Sequence, residues 1–446
     1  MKRLFLSIAL LGTFVFQADA QRISGTWHGE MQLNSLKLNL VLHLDGDSVC
    51  TVDSPDQGAK GIAGTVKELT TEKVDVQFPM LMAAYTAELK EGKLVGTFKQ
   101  RRFTVPLTLE PGDLVRQRPQ TPKPPFPYET HEVKIAVPSP YGGETERGHT
   151  LAGTLTLPPS FGEGTGGGLC LLLVSGSGLQ DRDETLFDHK PFAVIADYLA
   201  RHGIATLRYD DRGFGQSTGD PSNCTTADFA EDAAACIAFL RSTPLLKGGD
   251  GGRLKVGILG HSEGGSIAFM LGAKSLPTRE GGQGKPFVDC IVALAAPGIK
   301  GDTLLVEQTN ALLRLNGQPA NMTLKRLRLT MAMQPTNPWY EYFVEYDPSA
   351  DIAATRCPVL ALNGSLDCQV LPKSNLTAIR SLLRLSEWSA TSPYGGETEG
   401  GFYKEYPGLN HLFQHAQTGA ATEYGNIEET ISEEVLHDIV TWLKNL

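Results

Sequence analysis

Ser262 stands in Gly260-His261-Ser262-Glu263-Gly264, between an apolar run at 254–259 and an amphipathic stretch at 265–275. A strand, a tight turn bearing a serine and a following helix lift a hydroxyl clear of a sheet edge, with a helix N-terminus behind it that favours developing negative charge. The five-residue pattern alone is weak, because Gly215-Gln216-Ser217-Thr218-Gly219 matches it too. That match follows a polar loop at 210–213 and runs into Asp220-Pro221 instead of a helix, so context selects Ser262. His261 reads as the variable residue of the turn, with its side chain expected to point away from the hydroxyl.

A serine becomes nucleophilic when a base removes its proton, and the base needs a carboxylate to fix its tautomer and stabilise the imidazolium. The histidines after Ser262 are His411, His415 and His437. His437 falls within a terminal helical pattern and His415 one turn into another, whereas His411 follows a strand directly in Pro407-Gly408-Leu409-Asn410-His411. Among the acids, Asp289 begins a strand and Asp302, Asp347 and Asp351 flank or lie within a helical insertion. Asp367 follows the strand at 358–363, which makes it the expected partner. An oxyanion needs two backbone donors, one from the residue after the nucleophile and one from the loop after an early strand. Those are Glu263 and, in Ser175-Gly176-Ser177-Gly178, Ser177 first and Gly178 second. No metal set is visible, since the histidines and cysteines lack ligand spacing. Gly176-Ser177-Gly178 fails as a dinucleotide fingerprint because Asp181 stands where the third glycine belongs. No cofactor is expected.

These residues need a sheet to position them. From 151 onward strand patterns at 151–157, 169–174, 204–209, 254–259, 290–296, 358–363 and 402–406 alternate with helical patterns at 191–201, 226–241, 265–275, 373–383 and 428–445. That alternation predicts a mostly parallel sheet with helices on both faces. It stops at 300–346, where a Leu-, Arg- and Met-bearing helical pattern predicts a lid over the site. Before it, residues 21–112 are strand-like, with Leu36, Leu38, Leu40, Leu42 and Leu44 at every second position, which predicts a small all-β barrel or sandwich. Trp27 there fits a core plug better than the wall of a ligand cavity. Five prolines between Pro119 and Pro127 predict a semi-rigid connector over 113–130, leaving 131–446 as the catalytic domain.

Lys2-Arg3, an apolar run at 4–16 and Ala18-Asp19-Ala20 fit a cleavable secretory signal over 1–20, too short to span a bilayer. Export to a periplasmic or extracellular space is therefore expected. No cysteine sits near the cleavage site to carry a lipid, so no stable membrane anchor is expected. Losing Lys2, Arg3 and Asp19 takes the formal charge from −10 to −11, which argues against nucleic acid as a partner. The seven cysteines are scattered and several lie in apolar runs, as buried thiols do, although Cys357 and Cys368 flank one predicted strand and are the conceivable disulfide. The octamer at 139–146, Ser-Pro-Tyr-Gly-Gly-Glu-Thr-Glu, recurs at 392–399, as a duplicated loop insertion would.

Over residues 150–446 the chain resembles the α/β-hydrolase superfamily, whose order of nucleophile, acid and base is that of Ser262, Asp367 and His411. More narrowly, Ser-Gly-Ser-Gly-Leu-Gln-Asp-Arg-Asp at 175–183, Asp-Arg-Gly-Phe-Gly-Gln-Ser at 211–217 and Leu-Asn-His at 409–411 are similar to secreted carboxylesterases related to serine aminopeptidase-like hydrolases. In those proteins an N-terminal β-domain precedes the catalytic one. Ser175 stands where many such proteins have histidine at the oxyanion loop. The resemblance implies a cofactor-free Ser-His-Asp hydrolase and says little about the acyl or leaving group; attack of Ser262 on the carbonyl of a small acyl ester is the expected reaction. Cleavage of peptides or amino-acyl amides is the competing enzyme reading, for which Glu263, Asp181 and Glu307 are the available carboxylates. A ligand-binding protein with a vestigial site is the alternative outside enzymes.

Overall fold

A computed structural model describes residues 23–446 apart from 34–35, 47, 58, 139–147, 160, 162–167, 247–253, 277–284, 334–335 and 388–400. The expected signal segment and both copies of the octamer lie outside the described residues. Two compact units divide the chain, Met1–Val115 and Arg116–Leu446.

The first unit is a closed antiparallel barrel of eight strands: β1 (Gly25–Leu33), β2 (Leu36–Leu44), β3 (Val49–Ser54), β4 (Ala59–Leu69), β5 (Lys73–Phe78), β6 (Ala83–Lys90), β7 (Lys93–Gln100) and β8 (Phe103–Pro111). Each strand pairs with the next, and β8 returns to β1 at Trp27↔Pro111 and His28↔Glu110. Period-two alternation fills the interior, with Leu38, Leu40, Leu42 and Leu44 all buried beside Trp27, which belongs to that core. Glu91 and Gly92, both at positive φ, make the two-residue turn that pairs Lys90 with Lys93 between β6 and β7.

The second unit is built on a nine-stranded mixed sheet. Its strands are β9 (Glu129–Val137), β10 (His149–Leu157), β11 (Leu169–Val174), β12 (Ala205–Tyr209), β13 (Lys255–His261), β16 (Ile291–Leu294), β17 (Val359–Gly364), β18 (Ser386–Glu387) and β19 (Gly401–Tyr406). A separate small hairpin is formed by β14 (Ser275–Leu276) and β15 (Lys285–Pro286). The order across the sheet is β18-β19-β17-β16-β13-β11-β12-β10-β9, parallel from β18 to β12 and antiparallel where β10 meets β12 and β9. β11 shows why the central strands are apolar runs. Cys170, Leu172 and Val174 face one core with α2 (Thr226–Ser242), α3 (Glu263–Gly272) and α8 (Asn375–Leu383), while Leu171 and Leu173 face another with α1 (Pro191–Arg201) and α10 (Glu433–Lys444). Between β16 and β17 the alternation gives way to α4 (Gly301–Leu315), α5 (Leu324–Met333) and α6 (Pro338–Glu345), followed by α7 (Ser349–Ala354); α9 (Ala421–Tyr424) lies after β19.

The proline-bearing stretch, expected as a semi-rigid connector over 113–130, is hydrogen-bonded from Arg118 onward. Arg118 donates to the carbonyls of Phe187, Gly425 and Ile427, and Gln120 bonds the backbone of Thr430 and Ile431. Tyr128 donates to Asp197, and β9 starts at Glu129. Side chains beside the prolines supply donors that the prolines lack, and they bind this stretch to the second unit. All seven cysteines are free and buried, so Cys357 and Cys368 form no bridge. No helix among the described residues is long and apolar enough to cross a membrane.

Candidate active site

The carboxyl ends of the parallel strands face one edge, where open α/β sheets bind ligands. β13 ends at His261 and α3 begins at Glu263, so Ser262 occupies the whole turn at φ 52° and ψ −119°, a region L-residues rarely adopt. The turn closes because its glycines carry no Cβ. One on Gly260 would lie 2.1 Å from the Gly264 carbonyl oxygen, and one on Gly264 would lie 2.1 Å from that of Val174. The Ser262 amide donates to the Leu294 carbonyl at the end of β16 (2.8 Å), which pins the elbow to the next strand.

Asp367 follows β17 and His411 follows β19. Asp367 Oδ1 accepts from the amides of Gln369 and Val370, and Oδ2 faces His411 Nδ1 at 2.8 Å. A carboxylate oxygen only accepts, so Nδ1 carries the proton and Nε2 is left as the basic nitrogen. The histidine loop is held by the buried Asn410, whose Oδ1 accepts from the amides of Leu412 and Gln414. That bonding gives the Leu-Asn-His motif a structural reason. Ser262, His411 and Gly176-Ser177 line one cavity of about 300 Å3.

The other candidates are engaged elsewhere. Ser217 Oγ donates to the Asp210 carbonyl and accepts from the Ala152 amide, and His415 is exposed and paired with Glu429. His437 is exposed on α10. Asp289 accepts from the Val256 amide at the far end of β13, Asp302 pairs with Arg328, Asp347 binds the Ser349 amide, and Asp351 accepts from the Tyr346 hydroxyl.

Behind Val174 the loop passes close to the nucleophile, with an ideal Cβ on Gly176 only 3.1 Å from Ser262 Cβ. Gly176 spends its amide on Glu184 Oε1 at 2.8 Å. Ser177 follows in the same cavity wall, whereas Gly178, the second choice as oxyanion donor, lines two neighbouring cavities instead. The loop is anchored by the Asp-Arg-Asp stretch read in the sequence. The Arg182 guanidinium makes two bonds to Asp210, to which its amide adds a third, and one each to Glu132 and Thr154; Asp183 pairs with Arg208, and Asp211 Oδ2 accepts from the Gln180 amide.

Glu263 has two roles. Its amide opens α3 beside the nucleophile, and its buried carboxylate accepts from Thr226 Oγ1 (2.6 Å), from Trp339 Nε1 on α6 (2.8 Å) and from the Ser177 side chain. Burial raises its pKa, and these donors work against that rise. The two expected oxyanion residues are thereby tied to each other and to the helical insertion. α4 contributes Leu304, Leu305 and Gln308 to the cavity and α6 contributes Trp339 and Phe343, stacked at 5.3 Å. Thr226, Trp339 and Glu184 carry no local motif in the sequence, and the insertion pattern at 300–346 was the one signal that pointed towards Trp339. Among the described residues no group of His, Cys, Asp and Glu is arranged to hold a metal ion.

Residues 189–365 match the model of a family described as serine aminopeptidase, S33. Esterase EstD of Thermotoga maritima is 27% identical over 244 residues, covering 52% of this chain and 53% of that protein, so the chain spans about half the length of this curated relative. Among solved structures, an esterase of Pyrococcus furiosus is 14% identical with a TM-score of 0.42, covering 75% of this chain and 98% of that one. A thermophilic esterase from Thermogutta terrifontis is 19% identical with a TM-score of 0.38, covering 70% and 98%. Both likenesses are too distant to bear on function. The second unit thus has the α/β-hydrolase fold, and residues 189–365 are similar to the serine aminopeptidase S33 family.

Proposed function

We propose that this chain is an exported serine hydrolase that cleaves carboxylic esters of short acyl chains through an acyl-enzyme. Ser262 Oγ attacks the ester carbonyl while His411 Nε2 takes its proton, and the amides of Ser177 and Glu263 bind the oxyanion. Collapse expels the alcohol with the proton from His411, and a water activated by the same nitrogen releases the acid and restores Ser262. Asp367 stabilises the imidazolium through the 2.8 Å bond to Nδ1. Export rests on the signal pattern at 1–20.

One observation favours esters over amino-acyl amides. An aminopeptidase must neutralise a substrate ammonium, yet among the described residues the one carboxylate lining the cavity, Glu184, already accepts from the Gly176 amide and His261. Glu263 is filled by Thr226, Trp339 and Ser177, Glu307 is bonded by Ser374, and Asp181 receives the amides of Asp183 and Thr185. The match to the serine aminopeptidase family is what keeps the peptidase reading in play. The test compares kcat/KM for nitrophenyl acetate and butyrate with that for an amino-acid nitroanilide, alongside fluorophosphonate labelling of wild type and Ser262→Ala. The esters are expected to win and labelling to require Ser262; a larger value for the anilide overturns the esterase reading.

A further inference from the structure

Three segments must keep their spacing for acyl transfer: the oxyanion loop, the elbow and the loop that carries His411. Side chains outside the triad join all three. Glu184 Oε1 accepts from the Gly176 amide at 2.8 Å and faces His261 Nδ1 at 2.8 Å, and His261 Nε2 faces the carbonyl oxygen of His411 at 3.0 Å. His261 precedes Ser262 directly, so the middle of this chain of bonds lies one peptide from the nucleophile.

We infer that Glu184 and His261 are positioning residues, a buried brace that sets the His411 loop against the oxyanion loop. The inference rests on the hydrolase reading above. Both imidazole nitrogens of His261 face acceptors, a carboxylate and a carbonyl, so both carry protons and the ring is an imidazolium paired with Glu184. Its surroundings agree. Glu184 and His261 are 4% and 6% exposed, and although burial alone would lower the His261 pKa, the charge and hydrogen bond of Glu184 and the His411 carbonyl raise it. The charged or titratable groups facing this ring are Glu184, His411, whose ring centroid is 4.8 Å away, and, beyond it, Asp367.

Backbone strain points the same way. Glu184 sits at φ 52°, a left-handed conformation that disfavours side chains, and such strain persists where the surroundings over-determine it. The brace also explains which amide serves the oxyanion. With the Gly176 N–H committed to Glu184, the next amide along the cavity wall is that of Ser177.

The two ends of His261 can be separated by substitution. His261→Gln can place an N–H near the Nε2 position and keep the bond to the His411 carbonyl, whereas His261→Asn reaches only the Nδ1 position and keeps the Glu184 side. Small misplacements of reacting groups cost up to about 100-fold in rate. His261→Gln is therefore expected within about 10-fold of wild-type kcat on a short-acyl ester, and His261→Asn about 100-fold below it, with KM little changed in either. Fluorophosphonate inactivation rates should fall in the same order at matched thermal midpoints. His261→Asn equal to or faster than His261→Gln, or losses carried by KM, overturns the brace.

A measurement on the wild type stands even if these variants fail to fold. Histidine labelled with nitrogen-15 should show, at pH 8, an imidazole with both nitrogens protonated whose signal moves in Glu184→Gln; its absence overturns the inference. A wild-type protein that resists fluorophosphonate altogether would instead overturn the hydrolase reading, and the purpose of the brace with it.

Discussion

Asp211 offers a quantitative handle on the oxyanion loop. It is buried beneath that loop, its Oδ2 accepts from the Gln180 amide, and it lines a small cavity with Gly176, Gly178 and Glu263. Burial raises its pKa from the ordinary 3.8 to about 8; the Gln180 amide opposes the rise, and the charges of Asp232, Glu263 and Glu184 add to it. An acid whose pKa is raised by folding holds its proton in the folded state after the unfolded chain has lost it. Stability is therefore untouched below about pH 4, falls by about 1.4 kcal/mol for each pH unit between the two pKa values, and levels off above about pH 8. Asn in this position keeps a carbonyl for Gln180 and cannot ionise. Between pH 5 and pH 8 the stability of Asp211→Asn relative to wild type should accordingly rise by about 4 kcal/mol. Urea titrations at pH 5, 6, 7 and 8, following hydrolytic activity so that only the catalytic unit is read, measure the difference. A difference that stays constant across that range would mean that Asp211 titrates as an ordinary carboxyl, and the reasoning fails.

His411→Ala should abolish turnover while His415→Ala leaves most of it, because the His415 side chain is exposed and paired with Glu429; equal losses in steady-state kinetics would misplace the base. Ser217→Ala should keep fluorophosphonate labelling and lose about 1–2 kcal/mol of stability by denaturant titration, since its hydroxyl joins the Asp210 carbonyl to the Ala152 amide. A chain beginning at Arg116 should hydrolyse small esters and melt well above one beginning at Thr130, which lacks the bonds of Arg118, Gln120 and Tyr128; equal melting temperatures would show that those bonds contribute nothing.

Much of the fold was legible because its signals are local. The apolar alternation of Leu38 to Leu44 fixed an inward face before any partner strand was known, and the helix at 191–201 was bounded by Pro191 at its start. The choice between barrel and sandwich was not legible, since it depends on β8 reaching β1 across the length of the unit. Within the site, Ser262, Asp367 and His411 each follow a strand, which sequence order reveals. Glu184 gave no sign, because its partner His261 lies 77 positions away and only the sheet brings them together. The pentapeptide marks His261 as the variable residue of the elbow, and its contacts with Glu184 and the His411 carbonyl come from segments far outside that pentapeptide. The bonds of the stretch at 113–130 were hidden for a related reason: its prolines dominate the local pattern, while Arg118 and Gln120 act over about 300 positions.

The cysteines give the molecule a built-in clock for its own opening. Cys50 is the one thiol of the barrel and the other six belong to the catalytic unit, and every one is buried. Burial holds Cys50 and Cys368 at about 11 and Cys357 at about 12, far from the range in which thiolates form. Alkylation must then wait for local or global unfolding. Mass spectrometry of alkylated peptides over time would report the opening rate of each unit separately in a single sample, with no label or substitution introduced.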